Sequence, residues 1–302
     1  MASVIHLQNV SKNYGKAIGV TNVSLDVGRG SVFGFLGPNG AGKSTTINML
    51  LDFIRPTGGS VKLFGLDAQQ DSVEIHHRVG FLAGDMAMDR GLSGWQQLEY
   101  LGNLRGSFDK DYVTELAKRL DCKLNRKFKH LSRGNKQKVG LIAALMHKPE
   151  LLILDEPTSG LDPLIQAAFN KIILDRKNEG MTTFVSSHVL SEVQEICDIV
   201  TFIRNGKIID TKTIEQLAKE APKQFRIAAG DRKALQAELA KLKGVHVEAV
   251  DHSLKGTFSG DVNQMLKVLA RYDITDLSLE NTDLEATFMK YYEGEEEVPD
   301  SA

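Results

Sequence analysis

Short apolar runs broken by glycine dominate the first forty positions. Residues 4–10, 23–27 and 31–36 concentrate Val, Leu, Ile and Phe over a strand's length, which predicts β-strands. The period then changes. TINMLLDFI (46–54) is apolar at helical spacing and is stopped by RPTGG. SVKLFG and VGFLAG read as strands again. Between residues 93 and 147 helical patterns take over, in WQQLEYLGNL, DYVTELAKRL and KQKVGLIAALM. LLILDEP then runs four apolar residues into two acids, as in a strand buried on both faces of a parallel sheet. TTFVSSH and IVTFIRNGKII predict further strands, with LSEVQEIC as a helix between them.

The pattern changes again near residue 213. Thr213 and Gln216 have capping-box spacing and open a short helix that closes a first domain at about 221. KQFRIAA, DRKALQAELAKLKG, VHVEAV, LKGTFS, DVNQMLKVLARY, ITDLSLE and DLEATFMKYY follow. They read as strand, helix, strand, strand, helix, strand, helix, a small α+β domain over 222–293 of ferredoxin-like order. Leu235, Leu239 and Leu242 mark one helix face, and Gly244 suits the stop after it. The tail 294–302 is acidic and expected to be disordered.

Composition changes this picture little. Hydrophobic residues at 42% and charged residues at 25% are near the average of folded globular domains. A net charge of −2 gives no argument for nucleic acid as a partner. Two cysteines, Cys122 and Cys197, make no disulfide framework and fit a reducing compartment. MASVIHLQNV lacks the pattern of a signal peptide, and no apolar run approaches the ~18 residues of a membrane span.

The candidate chemistry begins with GPNGAGKST. Gly37, Pro38, Asn39, Gly40, Ala41, Gly42, Lys43 and Ser44 match the phosphate-binding pattern G-x-x-x-x-G-K-[ST], with Thr45 after it. Glycines there let backbone N–H groups curl around phosphate oxygens. Lys43 can reach the outer phosphates, Ser44 can ligate Mg²⁺, and the following helix turns its positive end to the anion. Asp155, ending an apolar strand, is placed to help hold the same Mg²⁺. Glu156, next to it, can orient and deprotonate a water for in-line attack.

Four further pieces stand in order around these two motifs: Tyr14 in SKNYGK, LSRGNKQK upstream of LLILDEPTSGLD, Ser159 to Asp162, and His188 after the next strand. This order resembles the ATP-binding subunits of ABC transporters over residues 1–215. The region after 222 is similar to the C-terminal extension of prokaryotic export-type members, the group that includes drug and antibiotic exporters. The resemblance implies an α/β P-loop NTPase domain with a helical subdomain at about 84–150, followed by the small α+β domain.

It also implies an ATPase using ATP and Mg²⁺ at the cytoplasmic face of the cell membrane, peripherally attached to an integral-membrane permease. Drug-like, lipid-like or peptide substrates would be exported. Tyr14 would stack on adenine, and Lys43, Glu156 and His188 would act on the terminal phosphate and the attacking water. Ser132 and Gly134, at the start of a helix, would offer their N–H groups and hydroxyl to the ATP of a second, identical or paralogous, subunit paired head to tail. Asp162 and Ser159 would carry contacts across that dimer.

Two positions depart from the family pattern. The usual signature is LSGGQ, and here Arg133 and Asn135 replace two of its residues. A glutamine or acid usually follows the strand VGFL, and here Gly84 takes that place with Asp85 next, so Asp85 is expected to take over part of the metal-coupled role. Two other P-loop classes fit less well. DNA-repair ATPases insert long coiled coils between cradle and signature, and no sustained heptads occur there. A small-molecule kinase has no use for LSRGN or for the Glu156–His188 pair.

Overall fold

A computed structural model describes residues 3–15, 17–84, 87–220, 222–260 and 262–281. Asp85, the expected helix at 283–292 and the acidic tail lie outside the described residues. The chain divides into two compact units, 1–212 and 213–302. The expected boundary at 221 falls inside the second unit, because the chain leaves its sheet at Thr213 and turns there into a capped helix.

In the first unit an antiparallel sheet forms from β1 (Ser3–Tyr14), β2 (Ala17–Gly28), β4 (Gly58–Leu63) and β5 (Leu66–Asp67), in the order β2-β1-β4-β5. Its neighbour is a six-stranded sheet. Here β3 (Val32–Leu36), β6 (Val79–Leu82), β7 (Leu151–Asp155), β8 (Thr182–Ser187), β9 (Ile199–Arg204) and β10 (Lys207–Thr213) lie in the order β10-β9-β3-β8-β7-β6. Strands β9, β3, β8, β7 and β6 run parallel. Every residue of β3, β7 and β8 is buried, as expected for central strands covered on both faces. Phe33 and Phe184 stack across them with ring centres 5.8 Å apart.

The helices of this unit are α1 (Lys43–Leu50), α2 (Ser72–Arg78), α3 (Gly94–Leu104), α4 (Lys110–Arg119), α5 (Arg133–Leu145), α6 (Pro163–Asn178) and α7 (Leu190–Gln194). Their starts are written in the sequence. Ser93 and Gln96 complete a capping box before α3. Asp109 caps α4 through the Tyr112 N–H at 2.9 Å, and Ser132 caps α5 through the Asn135 N–H at 3.3 Å. None of the described helices is long and apolar enough to cross a membrane.

The second unit opens with α8 (Ile214–Glu220), whose cap is the reciprocal pair of Thr213 and Gln216. It continues as β11 (Lys223–Ala229), α9 (Arg232–Leu239), β12 (Val245–Val250), β13 (Ser253–Phe258), α10 (Val262–Leu269) and β14 (Ile274–Asn281). The sheet order is β12-β13-β11-β14 and every neighbouring pair is antiparallel, which is the split β-α-β arrangement of ferredoxin-like domains. Phe225, Ile227, Leu235, Leu239, Leu254, Phe258 and Met265 form its apolar core.

Candidate functional site

Parallel strands place their C-terminal ends on one rim, and the loops that follow them build the site there. β3 delivers GPNGAGKST, β7 delivers Asp155 and Glu156, and β8 delivers Ser186, Ser187 and His188. Register brings them together: Leu36 pairs with Ser187, and Asp155 pairs with Ser186. The cradle's turn needs glycine at its tightest points. Gly40 and Gly42 have φ of 80° and 107°, a region that residues with a Cβ rarely occupy. Gly42 is the N-cap of α1, whose first-turn N–H groups have no acceptor within the helix.

A cavity of about 770 Å³ opens at this rim. Tyr14 and Ile18 line it beside the cradle, whose Pro38, Asn39, Gly40, Gly42, Lys43, Ser44 and Thr45 all reach it. Gly84, Asp155, Glu156, Ser159 and Arg133 also line it, with Phe53 and Phe81 among the apolar residues of the wall. Gly37 and Ala41 support the turn without lining the cavity; Ala41 is buried, and Gly37 donates its N–H to the Ser187 carbonyl at 3.2 Å.

Lys43 is only 5% exposed. Its Nζ donates to the Gly37 carbonyl at 2.6 Å and the Pro38 carbonyl at 3.2 Å, and stands 3.4 Å from Glu156 Oε1. The other carboxylate oxygen, Oε2, lies 3.0 Å from His188 Nδ1. Glu156 is therefore held between a lysine and an imidazole. Its backbone sits at φ 49°, a sparsely populated region for a non-glycine residue, and its N–H is tied to the Ser186 carbonyl at 3.2 Å. Strain of this kind collects where a side chain must be aimed.

Next to it, Ser44 Oγ donates to Asp155 Oδ2 at 2.8 Å, and Ser186 Oγ donates to Oδ1. Two hard oxygen donors from different elements thus meet at one point, which fits the Mg²⁺ preference for carboxylate and hydroxyl oxygen beside a phosphate. A Cβ at Gly84 would come no nearer than 3.6 Å to Asp155 Oδ2, so position 84 borders this pair and leaves room beside it. Among the described residues no group of three or more His, Cys, Asp or Glu could hold a metal.

Ser132, Gly134 and Asp162 do not line this cavity. Ser132 is an exposed N-cap, and Asp162 caps α6 through the Ile165 N–H at 3.1 Å. Gly134 has a packing role: a Cβ there would stand 2.7 Å from the Gly160 carbonyl oxygen. Gln137 Nε2 donates to the Pro157 carbonyl at 2.9 Å, fastening the same helix to the same loop. Two site residues escape a reading of the sequence. Ser186 carried one signal, a hydroxyl at the end of an apolar strand. Arg133 stood out only as a departure from the usual signature, with nothing to say where its side chain would go.

Comparison with known proteins adds identity to geometry. Residues 20–159 match the family model described as ABC transporter. The bacitracin transport ATP-binding protein BcrA of Enterococcus faecalis is 36% identical over 236 residues, 77% of each chain. An uncharacterised ABC transporter ATP-binding protein of Bacillus subtilis, YhcH, is 31% identical over 299 residues, 95% of this chain and 97% of the relative. A solved structure described as an ATP-binding subunit of an ABC transporter superposes with a TM-score of 0.65 at 25% identity, covering 72% of this chain and 92% of that one.

Proposed function

The chain belongs to the ABC transporter family as an ATP-binding, ATP-hydrolysing subunit, and on that premise we propose that two copies clasp ATP between them and drive a separate membrane permease. The observation that carries the hydrolytic step is the double hold on Glu156, by Lys43 on one oxygen and His188 on the other. A triphosphate in the cavity offers Lys43 a more highly charged partner than one carboxylate. As Lys43 turns to the phosphate, Oε1 is released to accept a proton from the attacking water. His188 keeps Oε2, and with it the orientation of the carboxylate. Chemistry therefore becomes possible only once the nucleotide is seated.

The remaining roles follow from position. Tyr14, about half exposed at the cavity edge, offers its ring to adenine. The N–H groups of the cradle and of α1 take the phosphates. Ser44 and Asp155 are the residues that would hold Mg²⁺, which when bound draws charge from the phosphate oxygens. Ser132 and Gly134, at the start of α5, do not line the cavity of their own chain, and in this reading they close over the nucleotide of a second copy paired head to tail. ATP then joins the pair, and hydrolysis removes the differential binding that held it closed.

The partner is an integral-membrane permease that grips the helical region 84–150 from the cytoplasmic side. The relative described as a bacitracin transport protein supports a cargo of the drug-like, lipid-like or peptide class, and in this reading the cargo moves outward. The test is Glu156→Gln. The variant should bind ATP, turn it over at least about 100-fold more slowly, and elute as a dimer when ATP is present. Unchanged turnover, or single copies at every ATP concentration, would overturn the proposal.

A further inference from the structure

Ser186 has no exposed surface, yet its hydroxyl touches both acidic residues of the site. Strand pairing puts it there. β8 lies between β7 and β3, with Asp155 on one side of Ser186 and Phe35 on the other. The Phe35 ring offers no acceptor, and the Ser186 hydroxyl gives its one proton to Asp155 Oδ1. Its oxygen in turn accepts from the Glu156 N–H at 3.3 Å. Asp155 thus has a partner on each oxygen, Ser186 on Oδ1 and Ser44, at 2.8 Å, on Oδ2. The two partners differ in kind. Ser44 belongs to the cradle and lines the cavity, whereas Ser186 is buried and does not. A carboxylate fastened at Oδ1 from inside the protein cannot turn freely, and Oδ2 is the oxygen it presents beside Ser44.

We infer that Ser186 is a positioning residue for metal binding: its buried hydroxyl locks the Asp155 carboxylate so that Oδ2 stays aimed, with Ser44, at the place of Mg²⁺. This rests on Ser44 and Asp155 being the residues that hold that ion. Outer partners that orient a ligating carboxylate set metal affinity in this way. A route through Glu156 is weaker. The Glu156 N–H also has the Ser186 backbone carbonyl at 3.2 Å, an acceptor that is present whatever side chain stands at position 186. Loss of the hydroxyl therefore frees Asp155 and leaves Glu156 tied to β8.

The experiment measures the affinity of the full chain for a non-hydrolysable ATP analogue, first in EDTA and then across a titration of free Mg²⁺. Ser186→Ala should raise the Mg²⁺ concentration that gives half of the metal's effect about tenfold. In EDTA its affinity should stay within about twofold of wild type, because Asp155 without metal gives a phosphate no attraction. Turnover should fall at low Mg²⁺ and return to within about threefold of wild type when Mg²⁺ is saturating. Ser186→Cys keeps the shape with a weaker donor and should lie between alanine and wild type. Ser186→Thr keeps the hydroxyl and should restore most of the loss. It also adds a buried methyl group, and if thermal unfolding shows that this variant does not fold, the order of Ala, Cys and wild type carries the test. An unshifted Mg²⁺ midpoint in Ser186→Ala, an equal loss of affinity in EDTA, or turnover that saturating Mg²⁺ does not recover would each overturn the assignment. Wild-type affinity indifferent to Mg²⁺ would instead remove the metal reading of Ser44 and Asp155 on which it rests.

Discussion

The two units handle polar side chains in opposite ways. In the first, Lys43, Asp155, Thr183, Ser186 and Ser187 are all buried at or near the strand ends, and three of them are bonded to other residues of the site. In the second, Ser253 is the one buried polar side chain among the described residues. Its sheet alternates as an amphipathic sheet should. Phe225 and Ile227 go inward, while Glu248, Lys255, Arg226 and Ser278 stand side by side on the other face. Cross-strand pairs such as Glu248 and Lys255 contribute only about 0.2–1 kcal/mol each. Burying a charge is expensive without a partner, so a buried lysine beside a carboxylate marks chemistry. A sheet with an apolar inner face and a mixed-charge outer face marks only a stable fold.

Perturbing each unit in turn tests this contrast. The largest effect is expected from Lys43→Ala, which should slow ATP hydrolysis by about 100- to 1,000-fold while the unfolding transitions of both units persist. Near-normal turnover would show that the buried polar cluster is structural after all. Leu235→Ala, in the fully buried core of the second unit, should destabilise that unit by about 2–5 kcal/mol. ATP affinity should stay within about twofold. Urea titration with nucleotide binding followed in parallel separates the two outcomes, and joint loss of both would break the contrast.

The smallest effect concerns His147 of the first unit, whose Nε2 lies 3.0 Å from the Val79 carbonyl oxygen. Burial, reinforced by the nearby positive charge of Arg105, pushes its pKa down to about 4. The unfolded chain therefore takes up a proton between about pH 6.5 and 4 that the folded chain refuses. This group's contribution to stability is present above the unfolded value and is lost as pH falls through that window. His147→Gln should flatten the acid side of the stability profile and reduce stability at pH 7 by about 1 kcal/mol. An acid limb identical to wild type would show that His147 titrates normally.

Much of the first unit was legible because its signals are local. A strand buried on both faces reads as an unbroken apolar run. GPNGAGKST declares a phosphate cradle because its glycines and lysine lie within one turn. The contact of Ser186 with Asp155 was not legible, since it depends on the pairing of two strands 31 positions apart in the chain. Nor was the reason for Gly134: its hydrogen leaves space for the Gly160 carbonyl, a neighbour that only the packing of α5 supplies.

By itself the sequence determined most of the elements, the cradle and the strand-end acids, because each rests on spacing along one segment, and the family, because it rests on the order of such segments along the chain. Tertiary structure alone decided that Glu156 is shared by Lys43 and His188, that Ser44 meets Asp155, and that Arg133 meets Ser159. Those are distances between segments, and only the register of the parallel strands and the docking of α5 on the loop after β7 bring the segments together.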